Sequence, residues 1–454
     1  MKYSAHIQNV AQHLHGKRLL HSEIPLQNEL IKQALKHGYL KAEPGLEMIG
    51  RRWTCRRCGN DDQTLFSEHH CARCQTTCSY CRHCLLLGKV SSCQQLYLWI
   101  APQVTVPSRQ ETLQWRGDLS PGQKKASEAV IKATHEQQEL LVWAVCGAGK
   151  TEVLFHGLEA AFSQGKRVLI ATPRTDVVKE LYPRFMQSFP NIPISALYGG
   201  SKDKQPNAQL VLATTHQTMR FYKAFDLVVI DEVDAFPFSY DKSLQYAVHH
   251  AKKECASTIY LSATPSSSLL TTPNLTVMKI SRRFHGFPLP VPRFQWCGNW
   301  QKALRKMKLP HVLMTWIKAH QQKKKPILLF VPSISTLHLV SSLLTEKSFV
   351  HASVHADDPN RHQAVQAFRD QNIPLLVTTT ILERGVTFAD VQVAVLGAEQ
   401  DIFTEAALVQ IAGRVGRKVE APAGDIVFCH YGISQAMRAA RKHIEAMNSE
   451  GGIK

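Results

Sequence analysis

Leu141 to Thr151 read LVWAVCGAGKT, an apolar run that breaks into a glycine-bearing loop and closes on Gly149-Lys150-Thr151. An apolar run without alternation is the mark of a strand covered on both faces, as in a layered parallel sheet. Gly147 and Gly149 let backbone N–H groups approach a ligand with no Cβ in the way. Lys150 can reach the outer phosphates of a nucleotide, and the Thr151 hydroxyl can take a place on magnesium. HGLEAAF follows at helical spacing, which sets the phosphates at a helix N-terminus. The pattern G-x-x-x-x-G-K-[ST] is met except at its first glycine, where Ala144 stands. The phosphate-facing half, Cys146, Gly147, Ala148, Gly149, Lys150 and Thr151, is intact, and a nucleoside triphosphate is its expected ligand.

The segments after this loop alternate between strand and helix patterns: RVLIATP, TDVVKELYPRFMQSF, ISALYGG, LVLATTH, DLVVIDEVDAF and STIYLSATP. Such a succession implies a parallel sheet with helices on both faces and ligands at the carboxyl ends of its strands. Asp231-Glu232-Val233-Asp234 ends one strand. Asp231 is expected to hold magnesium through water opposite Thr151, and Glu232 to polarise the water that attacks the γ-phosphate. Ser262-Ala263-Thr264 ends another, and its hydroxyls could link nucleotide state to a nucleic-acid side. Upstream, Ser120 and Pro121 open a helix as N-cap and first residue, and Gln123 in that helix is a candidate for reading an adenine edge. A second strand–helix series, from KKPILLFVPS to GDIVFCHY, has no phosphate loop of its own. It is expected to complete the site through Gln410 and through Arg414 and Arg417, two arginines three apart on one side of a helix. Their guanidinium groups suit the arginine-finger role. RRFHGFPLPVPRFQWCG, between the two series, reads as an interdomain connector, and residues 101–118, with Pro102 and Pro107, read as a linker.

Eight of the twelve cysteines fall between Cys55 and Cys93. MKYSAHIQNVAQHLHGKRLL lacks a signal-peptide pattern, and no run of about 18 apolar residues occurs, so an intracellular, reducing compartment is expected. There, clustered cysteines argue for metal rather than disulfides. Cys55-x2-Cys58 and Cys71-x2-Cys74, twelve residues apart, suit one tetrahedral zinc. Cys78, Cys81, Cys84 and Cys93 could form a second site, though successive spacings of three leave the pairing open and His69, His70 and His83 compete as donors. All-thiolate ligation leaves no open position, so the expected zinc is structural. Arg51, Arg52, Arg56, Arg57, Arg73 and Arg82 decorate this stretch as either a nucleic-acid surface or charge compensation. Before it, Leu26, Leu30, Ile31, Ala34 and Leu35 mark one amphipathic helix. Lys plus Arg number 54 against 36 Asp plus Glu, a formal charge of +18, which favours a phosphate polyanion as partner.

Taken together, Gln123, AVCGAGKT, the DEVD box, SAT, TTTILERGVTF and QIAGRVGR resemble the motifs of superfamily-two helicases over about residues 115–454. PRTDVV at 173–178 and TTHQ at 214–217 resemble the two segments that touch the backbone of a single strand in that superfamily. TTTILERGVTF with a cysteine module is similar to the primosomal replication-restart helicase, although here the cysteines precede the core instead of interrupting it. A cysteine module ahead of such a core, with KELYPR at 179–184, resembles the late competence ATPases of the ComFA family. The resemblance implies two tandem RecA-like parallel-sheet domains, 115–284 and 300–454, preceded by a zinc-binding module, 53–100, and an N-terminal segment, 1–52. It implies an ATP hydrolase using ATP, Mg2+ and Zn2+, with Gly385 among the nucleotide-binding residues. It further implies single-stranded DNA as substrate, the membrane channel ComEC and the phosphoribosyltransferase-like ComFC as partners, and work at the inner membrane face. Duplex unwinding and a zinc-dependent assembly module with weak ATPase are the alternatives. Strand separation of a forked substrate discriminates the first, and the dependence of ATP turnover on single-stranded DNA the second.

Overall fold

Eight short strands make up the part of the chain that carries the cysteines: β1 (Arg18–Leu20), β2 (Leu40–Pro44), β3 (Leu46–Ile49), β4 (Arg52–Cys55), β5 (Phe66–His70), β6 (Thr77–Cys81), β7 (Val90–Ser91) and β8 (Gln95–Trp99). This is a computed structural model, and it describes residues 5–101, 104–201, 205 and 207–452; Pro102 lies outside them. β1, β8 and β2 form an antiparallel sheet, β3 and β4 a hairpin, and β5, β6 and β7 a third small sheet. The helices Ala5–Leu14 and Asn28–Lys36 share an apolar cluster in which Val10, Leu14, Ile31 and Ala34 are buried. The second is the amphipathic helix expected from the leucine spacing, since Ile31 and Ala34 are its buried positions.

The next sheet holds β9 (Glu139–Ala144), β10 (Val168–Thr172), β11 (Ile194–Leu197), β12 (Leu210–Thr214), β13 (Phe225–Asp231), β14 (Lys252–Ser262) and β15 (Thr276–Ile280), in the order β11-β12-β10-β13-β14-β9-β15. Its core pairings, β11 with β12, β12 with β10, β10 with β13 and β13 with β14, are parallel. β10 and β12 are buried at every position, as their unbroken apolar runs require. A third sheet, β16 (Arg293–Trp296), β17 (Ile327–Phe330), β18 (Ala352–Val354), β19 (Leu375–Thr378), β20 (Gln392–Leu396) and β21 (Ile426–His430), runs in the order β16-β21-β20-β17-β19-β18. All of its pairings are parallel. The architecture is therefore two RecA-like parallel-sheet lobes behind a cysteine-rich module.

Two stretches differ from their sequence reading. β16 lies inside the run read as a connector; it is a four-residue edge strand beside β21, too short and too close to prolines to show alternation. The run read as a linker packs on the first lobe. Arg109 N donates to Phe162 O, Gln114 N to Ser188 O, Thr112 is buried, and the Trp115 ring stands edge-on to Phe155 at 5.5 Å.

By contact density the chain forms two units. One joins everything up to Asp118 with Lys124–Val142 and Thr151–Met278; the other joins Leu119–Gln123 and Trp143–Lys150 with the chain from Lys279 onward. The cysteine module thus shares a unit with β10–β14. Gly59, at the end of a cysteine knuckle, shows the fit: its φ is +68°, and a Cβ there would stand 2.5 Å from the Tyr246 ring. No helix among the described residues is long and apolar enough to cross a membrane.

Candidate ATP site and cysteine sites

β9 ends at Ala144, whose side chain is fully buried where the phosphate-loop pattern has its first glycine. The loop needs its two glycines: Gly147 has φ +82° and Gly149 +74°, the left-handed region that costs a side chain strain. The helix Lys150–Ser163 begins directly after, so Lys150 and Thr151 stand in its first turn. Val145 N donates to Ile280 O at 3.1 Å, and Phe284 N donates to Gly147 O at 3.0 Å. Gln123 is buried and takes part in a capping box: its Oε1 accepts from Ser120 N at 2.8 Å while Ser120 Oγ accepts from Gln123 N at 3.4 Å. Its Nε2 donates to Ala148 O at 2.9 Å. The glutamine is thereby tied to the phosphate loop and keeps one donor hydrogen and one lone pair for a base edge.

The acidic box sits at the carboxyl end of β13. Asp231 is the last strand residue, and Glu232 follows with φ +54°, a conformation that turns it out of the strand direction at about 1–2 kcal/mol. Asp234 accepts two hydroxyl hydrogen bonds, from Ser262 Oγ at 2.6 Å and Thr264 Oγ1 at 2.7 Å. Thr264 N donates to Ser262 Oγ at 2.9 Å, closing the turn. The triplet after β14 is thus joined directly to the box after β13. Thr214, at the carboxyl end of β12, leads into a 3-10 helix, Thr215–Arg220, that carries the rest of TTHQ.

In the second unit Gln410 is buried near the end of the helix Glu405–Ala412, and its Oε1 accepts from the Cys146 thiol at 3.1 Å. Gly413 caps that helix, and a Cβ on it would meet Cys146 Sγ at 2.6 Å. The two arginines therefore lie beyond the helix and not along it, which corrects the sequence reading. Gly413 stops the helix and Gly416, at φ +67°, turns the chain away. Arg414 is buried, with Nε on Glu383 O at 3.1 Å and Nη1 on Val386 O, so it braces the segment that holds Gly385. Arg417 is only half-buried, with Nε on Gly413 O at 2.9 Å and Nη1 3.5 Å from Thr387 Oγ1.

Arg283 escaped the sequence reading, because a single arginine in a proline-rich run carries no pattern. It is 1 % exposed, with Nη2 on Val415 O at 2.8 Å and Nη1 on Gly416 O at 2.5 Å, and its aliphatic stem lies 3.7 Å from the Cβ position of Gly147. Burial pushes its guanidinium down to about 10. Arg283 is the brace between the phosphate loop and the arginine segment.

The eight cysteines converge as two sets, Cys55, Cys58, Cys81 and Cys84, and Cys71, Cys74, Cys78 and Cys93, each with all sulfurs within 4.8 Å of one another. The first knuckle does not pair with Cys71-x2-Cys74 as the spacing suggested. The reason is β6: Cys78 and Cys81 are three apart on one strand, so their side chains leave opposite faces and serve different sites. No histidine belongs to either set. His69 lies 3.1 Å from Cys78 O and 2.8 Å from Lys89 Nζ, and His83 Nε2 lies 3.0 Å from Asp241 Oδ2. A tetrahedral ion with bonds of about 2.3 Å has sulfur–sulfur edges of about 3.8 Å. Cys55–Cys84, Cys58–Cys81 and Cys71–Cys93 each stand at 3.7 Å; Cys74–Cys78, at 3.2 Å, must open slightly. Four thiolates this close repel one another, so a cation between them is what lets all four ionise together. The donor sets fit a four-coordinate soft metal.

Family models match residues 3–98 (Competence protein ComFA N-terminal domain), 116–267 (type III restriction enzyme, res subunit) and 306–419 (helicase conserved C-terminal domain). Fold and site define a superfamily-two, helicase-like enzyme that hydrolyses ATP. Its fold is similar to that of a single-residue variant of Saccharomyces cerevisiae Dbp5 bound to RNA and ADP BeF3, with a TM-score of 0.53 and 16% identity over 74% of this chain and 92% of that one. The chain is 47% identical to Competence protein ComFA of Bacillus subtilis (strain 168) over 98% of its own length and 96% of that protein's. It is 40% identical to Competence protein ComFA of Streptococcus pneumoniae (strain R6) over 84% and 91%. It belongs to the ComFA family of competence proteins.

Replacing Arg283 by Met keeps the aliphatic stem but takes the Arg283 donor from the Val415 carbonyl and leaves Gly416 O only His285 Nε2, at 3.1 Å, a loss of about 2 kcal/mol. Thermal unfolding of the full chain is expected to show a lower Tm, partly restored in Arg283→Lys. An unchanged Tm for Arg283→Met contradicts the brace.

Proposed function

We propose that the chain is a single-stranded-DNA-stimulated ATPase that moves along the strand and so draws incoming DNA into the cell. The observation that carries this reading is the double acceptance by Asp234 from Ser262 and Thr264. It joins the carboxylates that act on ATP to a second strand end, and such a joint lets strand occupancy set hydrolysis. In this reading Gln123 reads the adenine edge, and Cys146, Gly147, Ala148, Gly149 and Gly385 line the nucleotide. Lys150 grips the outer phosphates, Thr151 and Asp231 hold Mg2+, and Glu232 polarises the attacking water. Gln410 senses the γ-phosphate. Arg417 is the finger, because its guanidinium is half-buried, and Arg414 serves by holding Glu383 to Val386 in place. The formal charge of +18 and the residues PRTDVV and TTHQ support a single-stranded polyanion as the track. Family membership supports the partners ComEC and ComFC and work at the inner face of the membrane as parts of the same proposal.

For the cysteines we infer one structural zinc in each set. Zinc binding closes both sites with thiolate and leaves no position for substrate. Of the arginines around them, Arg57 is buried and spends its charge on Glu23 at 2.7 Å, not on the thiolates.

Lys150→Ala is expected to abolish ATP turnover in the presence of single-stranded DNA while most strand binding remains; turnover at the wild-type rate removes the phosphate loop from the mechanism. Arg417→Ala should lower kcat by ~10³-fold with ATP affinity little changed. An unchanged kcat assigns the finger elsewhere. For the metal, the double variant of Cys55→Ser with Cys81→Ser should lose one zinc equivalent by metal analysis. Cys55→Ser with Cys71→Ser should lose two. The reverse result restores the pairing by sequence spacing.

A further inference from the structure

Between the first cysteine set and the TTHQ segment stands a chain of buried charge that neither the ATP site nor the metal sites require. Arg57 lies inside the knuckle Cys55-x2-Cys58, and its side chain is wholly buried. A buried guanidinium needs a partner, and Glu23, in the one-turn 3-10 helix His21–Glu23, supplies it: Arg57 Nη2 donates to Glu23 Oε1 at 2.7 Å. The same oxygen lies 3.2 Å from Arg220 Nη1. Arg220 closes the 3-10 helix Thr215–Arg220, and its Nε donates to Gln217 Oε1 at 3.1 Å. Glu23 itself is fixed, since its Oε2 accepts from Leu20 N at 2.9 Å. The other end is equally anchored, because Arg57 Nη1 reaches Gly88 O at 3.5 Å, just past the turn that bears Cys84.

We propose that Glu23 is a positioning residue whose carboxylate, held by Arg57 at the metal knuckle, aims Gln217 through Arg220, so that metal loading orders the strand-binding segment Thr214–Gln217. This rests on the reading of Thr214–Gln217 as a contact to single-stranded DNA. The physics favours transmission over mere packing. One carboxylate oxygen serves both arginines, and Arg57, the nearer and wholly buried partner, sets where that oxygen stands, so a displaced Arg57 shifts the acceptor on which the partly exposed Arg220 depends. The knuckle fixes Arg57 only while four sulfurs are drawn together. When they are not, Glu23 Oε1 loses the contact that fixes its position, and Arg220 loses the alignment that aims Gln217. A surface salt bridge at this place could not do this, because water would replace either partner at little cost.

The test uses the full chain. Hydrogen exchange of the backbone amides of residues 214–220 is measured without DNA or nucleotide, in wild type and Glu23→Gln, each zinc-loaded and zinc-depleted. Glu23→Gln is expected to raise exchange roughly tenfold, the scale of one charge-assisted hydrogen bond. Zinc depletion should do the same in wild type and add little in Glu23→Gln. Glu23→Asp should restore part of the protection. Unchanged exchange, or depletion effects of equal size in both proteins, overturns the proposal. Should Glu23→Gln not fold, Arg220→Met decides: it cuts only the outer link, and must raise exchange at 214–220 while residues 55–58 stay protected. Protected 214–220 in Arg220→Met overturns the proposal equally. In a second arm, the concentration of single-stranded DNA giving half-maximal ATPase stimulation should rise roughly tenfold in Glu23→Gln, with zinc content, basal turnover and maximal stimulated kcat unchanged. An unchanged half-maximal concentration overturns it. If wild type is not stimulated by single-stranded DNA at all, the functional reading falls, and the exchange arm still decides the role of Glu23.

Discussion

Everything in the first lobe follows from one constraint: a triphosphate must meet backbone N–H groups that no side chain obstructs, at the open end of a buried strand. That places β9 inside a parallel sheet, demands positive φ at Gly147 and Gly149, and starts a helix at Lys150. The same sheet then presents Asp231 and Ser262 at the ends of β13 and β14, so carboxylates and hydroxyls arrive beside one another without further design. The hydroxyls of Ser262 and Thr264 on Asp234 follow from that geometry.

The parts that were legible in the sequence are those whose chemistry is contiguous. The phosphate loop, the DEVD box and the apolar strands each declare themselves within a dozen residues, because local backbone geometry makes the site. What was not legible depends on how distant segments meet. The cysteine spacing offered two knuckles, yet the sets are decided by β6, where alternation sends Cys78 and Cys81 to opposite faces. Spacings of three leave the pairing open in the sequence, and only the strand Thr77–Cys81 decides it. The two arginines looked helical because Gln410 to Arg417 keeps helical spacing, but Gly413 and Gly416 end the helix first. Arg283 carried no signal, since its role exists only once the carbonyls of Val415 and Gly416 come to it.

Buried arginine recurs as the joining device. Arg283 ties the phosphate loop to the arginine segment, Arg414 ties that segment to the loop of Gly385, and Arg57 ties a cysteine knuckle to Glu23. A planar fork with five donors in fixed directions holds two carbonyls or carboxylates in one set geometry, whereas a lysine ammonium is a point charge on a flexible stem. Such contacts are rigid while paired and costly when half-broken, a property suited to passing a change between the parts of a motor.

If Ser262 and Thr264 tie the carboxylates after β13 to a bound strand, ATP hydrolysis must follow strand occupancy. Steady-state ATP hydrolysis by the full chain, titrated separately with single-stranded DNA, the matching duplex and RNA, measures that dependence. A slow rate that climbs to a plateau with single-stranded DNA, and far less with the duplex, is the predicted result. A rate indifferent to single-stranded DNA would uncouple the carboxylates from the strand.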